Sequence, residues 1–195
     1  MKMDVVISGV GGQGNIFASV VISQYAMNKK LNVFGAETIG AAQRGGSVVS
    51  HIRIAEGAIY SPLISRGQAD LLVGMECVEM LRHLRLLNPK GTYLLNSMRI
   101  QTVLNNMGLD EYPTHEEILL AARKYCPNGY VIEASALAKK LGNIQMTNVV
   151  MLGALVKIMS FFDYKEMKDL VAASSPARFK EANIKGFEEG FKLIN

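Results

Sequence analysis

The chain has 195 residues, enough for one α/β domain with a full core. Apolar residues make up 49% and charged ones 19%, the balance of a globular protein, and no apolar run is long enough to predict a membrane-spanning helix. The net charge is only +4, Lys and Arg often sit beside acids, and Trp is absent, so neither a basic nucleic-acid stripe nor a base-stacking platform is expected.

Cys77 and Cys126 are the only cysteines, far apart and in no metal-ligand spacing. Alone they can build neither a closed zinc site nor a four-cysteine iron–sulfur cluster, and two small buried hydrophobes are expected. The N-terminus lacks a basic segment followed by a long apolar one, so no signal peptide is read and a cytoplasmic location is expected.

Val5 to Ile7 reads as a buried parallel strand that breaks into Gly9-Val10-Gly11-Gly12-Gln13-Gly14, and a helix follows from Asn15 to Asn28. Gly9, Gly11 and Gly14 have G-x-G-x-x-G spacing. Such glycines allow a tight bend, a close backbone approach to a ligand and close helix–strand packing. The helix N-terminus would favour an anion such as a phosphate. The other reading is that the glycines serve packing alone.

Leu31 to Ala36 reads as the second strand, with Glu37 at its end. An acid roughly twenty residues past the turn holds a ribose hydroxyl in dinucleotide-binding units, so NAD or FAD binding stands beside a surface or inter-subunit role for Glu37. Ile39 to Ser47 is small and glycine-rich, and Arg44 either offers a planar fork for a carboxylate or phosphate or is solvated on a flexible surface loop. Ser47 to Ile54 alternates as a strand with one covered face, Val48, Ile52 and Ile54 on that side and His51 and Arg53 on the other. Glu56-Gly57 predicts a turn, with Ala58 to Tyr60 pairing back as a hairpin. His51 has no nucleophile or carboxylate spaced to partner it, so it reads as a polar residue on an open face or at a contact.

Asp70 to Met75 predicts a strand, Glu76 to Leu87 a helix stopped by Asn88-Pro89-Lys90-Gly91, and Thr92 to Leu95 a returning strand. Ser97 to Pro113 reads as irregular, with room for a short extra strand. Thr114 and Glu117 form a capping box for a helix to about Tyr125. Tyr130 to Ile132 is a strand and Ala134 to Leu141 a helix. The last third is all helix: Thr147 to Phe161, Tyr164 to Ala173 and Ala177 to Phe191. The fold expected is α/β, a Rossmann-like, mixed but mostly parallel sheet flanked by helices, with a helical C-terminal third, over one domain spanning residues 1–195.

Several stretches together resemble one family, the gamma-type subunits of the 2-oxoacid:ferredoxin oxidoreductases. They are the run from Gly9 to Gly14; Ala41-Ala42-Gln43-Arg44-Gly45-Gly46-Ser47-Val48-Val49-Ser50-His51-Ile52-Arg53; Ser65-Arg66-Gly67-Gln68-Ala69-Asp70-Leu71-Leu72; Glu76-Cys77-Val78-Glu79-Met80-Leu81-Arg82; and Asn183 with Gly186-Phe187-Glu188-Glu189-Gly190. The resemblance covers nearly the whole chain and is greatest to the indolepyruvate-oxidising branch. Enzymes of this family oxidatively decarboxylate a 2-oxoacid to an acyl-CoA, with thiamine diphosphate and iron–sulfur clusters, and pass electrons to ferredoxin. The resemblance implies that thiamine diphosphate, Mg²⁺ and the clusters sit on a larger partner subunit, and that CoA is a co-substrate. Consistent with that division, the sequence has no Gly-Asp-Gly loop followed by an Asn for thiamine, and no cluster-binding cysteine run. By the same resemblance this chain holds no catalytic residue and no metal. Gly9, Gly11, Gly12, Gln13 and Gly14 are implied in phosphate or CoA contact. Glu37, Gln43, Arg44, Gly45, Gly46 and His51 are implied in substrate or subunit contact. A self-sufficient NAD- or FAD-binding oxidoreductase and a non-catalytic nucleotide-binding protein remain the alternatives.

Overall fold

The computed structural model describes residues 1–40 and 45–194. Six strands form one sheet: β1 (Lys2–Val10), β2 (Asn32–Ile39), β3 (Ser47–Ala55), β4 (Ala69–Gly74), β5 (Leu87–Asn96) and β6 (Gly129–Ile132). Their spatial order is β2-β3-β1-β4-β5-β6. β1, β4, β5 and β6 pair in parallel, whereas β3 runs antiparallel to both of its neighbours, β1 and β2. The sheet is therefore mixed and mostly parallel, as the sequence predicts.

Helices cover both faces. α1 (Asn15–Asn28), α5 (Ala134–Lys140), α6 (Thr147–Ile158), α7 (Tyr164–Ser174) and α8 (Lys180–Lys192) share one face with Val5, Ile7, Ile52, Leu71 and Val73. α2 (Cys77–His83) and α4 (His115–Tyr125) cover the other, packing on Val6, Val49, Leu72, Tyr93 and Leu95. Adjacent residues of β1 thus enter opposite cores, which is why a central strand reads as a continuous apolar run. A single turn, α3 (Val103–Asn106), completes the helices.

Four local expectations are corrected. Ala58 to Tyr60 forms no strand, because β2 and β1 already occupy both edges of β3 and leave no ladder to join. β3 is covered on both faces, not one: Val49 and His51 are buried along with Val48, Ile52 and Ile54. The helix after β4 ends at His83, and a 3₁₀ turn, Leu84–Leu86, leads straight into β5. Leu87 itself is extended and pairs with Ala69 of β4, so the helix cannot include it; the backbone amides of Gly67 and Gln68 take the carbonyls of Arg85 and Leu86 just before it, at 2.9 and 3.0 Å. Pro89 and Gly91 lie inside β5. The segment from Ser97 to Pro113 holds the helical turn α3 and no strand.

The capping box is as predicted. Thr114 Oγ1 accepts from the Glu117 amide at 3.2 Å, and Glu117 Oε2 accepts from the Thr114 amide at 2.8 Å. Both cysteines are buried and free. Burial raises the Cys77 thiol to about 11, and the neighbouring Glu76 adds to the rise. It is an inert group at neutral pH.

Candidate functional site

In open α/β sheets a ligand crevice forms beyond the carboxyl ends of strands whose connections diverge. Here those strands are β1 and β4, whose following helices α1 and α2 lie on opposite faces. The glycine turn sits at that point, and its inner side is filled by the chain itself. Gln13 folds back, accepting from the Val10 amide at 2.9 Å and donating to the Met75 carbonyl at 3.1 Å. A Cβ on Gly9 would lie 2.7 Å from Gln13 Oε1 and 2.9 Å from Met75 Cβ. Gly14 is the N-cap of α1 at φ 80°, and its carbonyl accepts from Asn148 Nδ2 at 3.3 Å. A side chain there would be strained by the backbone and would collide with Asn148. Gly9 and Gly14 therefore answer to packing. Gly12, at φ 98°, faces open space.

The second glycine-rich stretch meets the first. The Gly11 amide donates to the Gly46 carbonyl at 2.8 Å, and Asn15 Nδ2 donates to the Val48 carbonyl at 3.1 Å. A bond from the Gly40 amide to the Ser47 carbonyl, at 2.8 Å, closes the neck of the intervening loop. Gly45, like Gly12, has a positive φ and nothing near the place of its missing Cβ. Gln43 and Arg44 lie outside the described residues.

Beside this rim is a cavity of about 400 Å³, lined among others by Val10, Gly45, Ser47, Glu79, Arg82 and Thr102. Its floor carries carboxylates. Glu76 is buried; its Oε2 caps α2 by accepting from the Glu79 amide at 2.9 Å, and its Oε1 accepts from the Ile100 amide at 3.0 Å and from the Tyr112 hydroxyl. Burial, then the bond to Glu76, drives the Tyr112 hydroxyl well above the usual phenol range, so it stays a donor. Glu79, also buried, accepts from Ser47 Oγ and pairs with Arg82 Nε at 3.4 Å. The α2 pattern Glu76 followed by Glu79 is a local signal for the cap. Ser47 and Tyr112 come from distant segments, and no sequence spacing announces them.

Glu37 lies within β2 and does not end it. Its carboxylate accepts from Ser19 Oγ of α1 at 2.8 Å and from Ser50 Oγ of β3. Each of its oxygens is thus engaged by the chain itself, one by α1 and one by β3. His51 is buried, and its Nδ1 accepts from the Ile64 amide at 3.2 Å. Burial, followed by the neighbouring His83, lowers its pKa. Burial and Arg82 lower that of His83. Both rings are neutral in the folded chain at neutral pH.

A stability consequence follows from these two rings. A histidine whose folded pKa is depressed takes up its proton more readily when unfolded. Stability should therefore rise with pH through the window just below the ordinary value of about 6.5, and fall on acidification. We expect the thermal midpoint to drop by several degrees between neutral and mildly acid pH, and the His51→Gln/His83→Gln double variant to show a flatter profile. A variant profile as steep as the wild type would remove these rings as the cause.

Among the described residues no group of three or more His, Cys, Asp or Glu side chains gathers to hold a metal. Among the described residues no helix is long and apolar enough to cross a membrane.

The chain is 36% identical to Indolepyruvate oxidoreductase subunit IorB of Archaeoglobus fulgidus, over 98% of this chain and 94% of that protein. It is 33% identical to the subunit of the same name from Thermococcus kodakarensis, over 98% and 95% of the two chains. Its fold is shared with the solved gamma subunit of a keto/oxoacid ferredoxin oxidoreductase from Geobacter sulfurreducens, at TM-score 0.71 and 22% identity, with 98% and 97% of the two chains covered. The family described as pyruvate ferredoxin/flavodoxin oxidoreductase matches residues 4–193, and the chain belongs to that family.

Proposed function

We propose that this chain is the smaller, gamma-type subunit of an indolepyruvate:ferredoxin oxidoreductase. It supplies one wall of a site that a larger subunit completes. Thiamine diphosphate, Mg²⁺ and iron–sulfur clusters belong to that larger subunit, CoA enters as co-substrate, and ferredoxin takes the electrons. The observation that carries the proposal is the bond from the Gly11 amide to the Gly46 carbonyl, which joins the two glycine-rich motifs into one rim. At that rim Gly12 and Gly45 offer backbone with nothing in front of it, so a partner chain can approach closely. The acidic floor below, with Glu76 and Glu79, is a poor seat for an anion by itself. A 2-oxoacid carboxylate or a phosphate there needs further positive charge. Arg44, next to Gly45 in the sequence, and groups of the larger subunit are assigned that role, with Gln43 supporting the contact. The names of the similar IorB proteins support the choice of indolepyruvate.

The test is to purify the chain alone and co-expressed with the large subunit, and to assay both for indolepyruvate-dependent dye reduction with thiamine diphosphate and CoA. Activity is expected only in the pair. In the pair, Arg44→Ala should lower turnover at least tenfold with the complex still assembled. Full activity in that variant would sink the role given to Arg44. Activity in neither preparation would sink the substrate assignment.

A further inference from the structure

Among the described residues, the β2 side of the molecule joins an unpaired strand edge to a helix without charge. We propose that it is a contact between two copies of this chain, with β2 pairing antiparallel to β2 of the second copy and α1 packing on its α1.

The first observation is the strand. β2 is an edge strand of eight residues, Asn-Val-Phe-Gly-Ala-Glu-Thr-Ile, and it pairs with β3 without a register shift along its whole length. Natural edges are usually blunted by Lys, Pro, bulges or brevity. β2 has none of these, whereas the opposite edge, β6, has only four residues. The second observation is the helix lying over it. α1 has no charged residue in any of its 14 positions. Its outward face carries Ile16, Val20, Ser23 and Met27, spaced i, i+4, i+7, i+11 as in a helix–helix seam. Ile16, Val20 and Met27 are each at least half exposed, and the small Ser23 between them leaves room for a facing helix. The third observation lies on the other face of the sheet. Phe34 is exposed there, and its neighbour across the ladder, Arg53, holds the Ser61 carbonyl at 3.2 Å. That bond holds the loop bearing Tyr60, which is 96% exposed, and the exposed Leu63. Large apolar and aromatic side chains thus flank one bare strand edge on both faces, the composition of an interface centre.

A second copy fits this edge better than an unlike chain does. Apart from Glu37, held by Ser19 and Ser50, β2 and α1 carry no charged side chain, so the surface meets its own image with little repulsion and offers little for an oppositely charged partner to match. A two-fold axis through a strand edge can only pair it antiparallel, the same relation β2 has with β3. With Ala36 on the axis, Val33 faces Ile39 of the second copy and Phe34 faces Thr38. Glu37, turned onto Ser19 and Ser50, then faces Gly35 and no second carboxylate. The strand runs over about 26 Å and the helix over about 20 Å. Together with the Tyr60 loop they offer on the order of 600–800 Å² per copy, near what a stable dimer needs.

The test uses the full chain, alone and in the co-expressed pair, and does not depend on the substrate assigned above. Because Cys77 and Cys126 are buried, Ala36→Cys introduces the accessible thiol. Mild oxidation should link two copies of this chain through it, while Leu120→Cys, exposed on α4, stays unlinked. Light scattering should give two copies of this chain per particle, and Val20→Glu should halve that number with the circular dichroism unchanged. One copy per particle, no Ala36→Cys link between copies, a link to the large subunit alone, or an undiminished mass in Val20→Glu would each overturn the proposal.

Discussion

Gly190→Ala is expected to destabilise the chain by about 3 kcal/mol or more, one of the largest effects of any single methyl in the molecule. α6 and α8 cross with their backbones in contact. A Cβ on Gly190 would stand 2.1 Å from the Val150 carbonyl oxygen, and one on Gly153 would stand 2.0 Å from the Phe187 carbonyl oxygen. These obstacles are main chain, so no rotamer change relieves them. One helix must move. α6 is buried along nearly its whole length, and Phe187, on the inner face of α8, is fully buried against it. Separating the helices would therefore open a void under Phe187 as well. Gly186, one turn earlier on α8, is the control: a Cβ there meets nothing closer than 3.8 Å. Gly186→Ala should be neutral or stabilising by up to about 1 kcal/mol, since alanine is the better helix former. Thermal melts of the two variants decide the matter, and equal stabilities would refute the crossing as described. The C-terminal motif Gly186-Phe187-Glu188-Glu189-Gly190 is thus explained at its second glycine by packing, not chemistry.

What could be read from the sequence depended on how local its cause was. The start of α1 is set by the glycine turn before it, and the helix appears in the structure with the bounds Asn15 to Asn28. The Thr114–Glu117 box is likewise a matter of neighbours. The hairpin expected at Ala58 to Tyr60 failed because strand formation there needs a free edge. The crossover that places β3 between β1 and β2 removes that edge from afar. The overlong helix after Glu76 failed for the same kind of reason: Leu87 is drawn out into the ladder beside Ala69 of β4. At the candidate site the glycines were legible because their backbone demands are written in residue type. The acidic floor was not, since Ser47, Glu79, Glu76 and Tyr112 meet only once the sheet and the segment after β5 are folded. Glu37 shows the remaining ambiguity. An acid at the end of a second strand suits a ribose, and only the positions of Ser19 and Ser50 reveal that the chain itself engages each of its oxygens.

Arg53→Met should cost about 3 kcal/mol, for a reason that lies in β1. Asp4 is fully buried, and the Arg53 guanidinium grips both of its oxygens, Nε to Oδ1 at 2.9 Å and Nη2 to Oδ2 at 3.1 Å. Removing the guanidinium leaves a buried carboxylate with Lys2 alone, at 3.0 Å and half exposed. Lys2→Ala, by contrast, removes only a solvated partner and should stay within about 1 kcal/mol of the wild type. Replacing both members, Asp4→Leu with Arg53→Met, should recover much of the loss, because no unpaired charge is then buried at this position. A double variant no more stable than Arg53→Met would show that the guanidinium acts through packing and not through the ion pair. The same side chain donates to the Ser61 carbonyl, so its loss should also loosen the segment between β3 and β4. Limited proteolysis should then cut between residues 56 and 68 in Arg53→Met well before it cuts the wild type, with Lys2→Ala behaving as the wild type does.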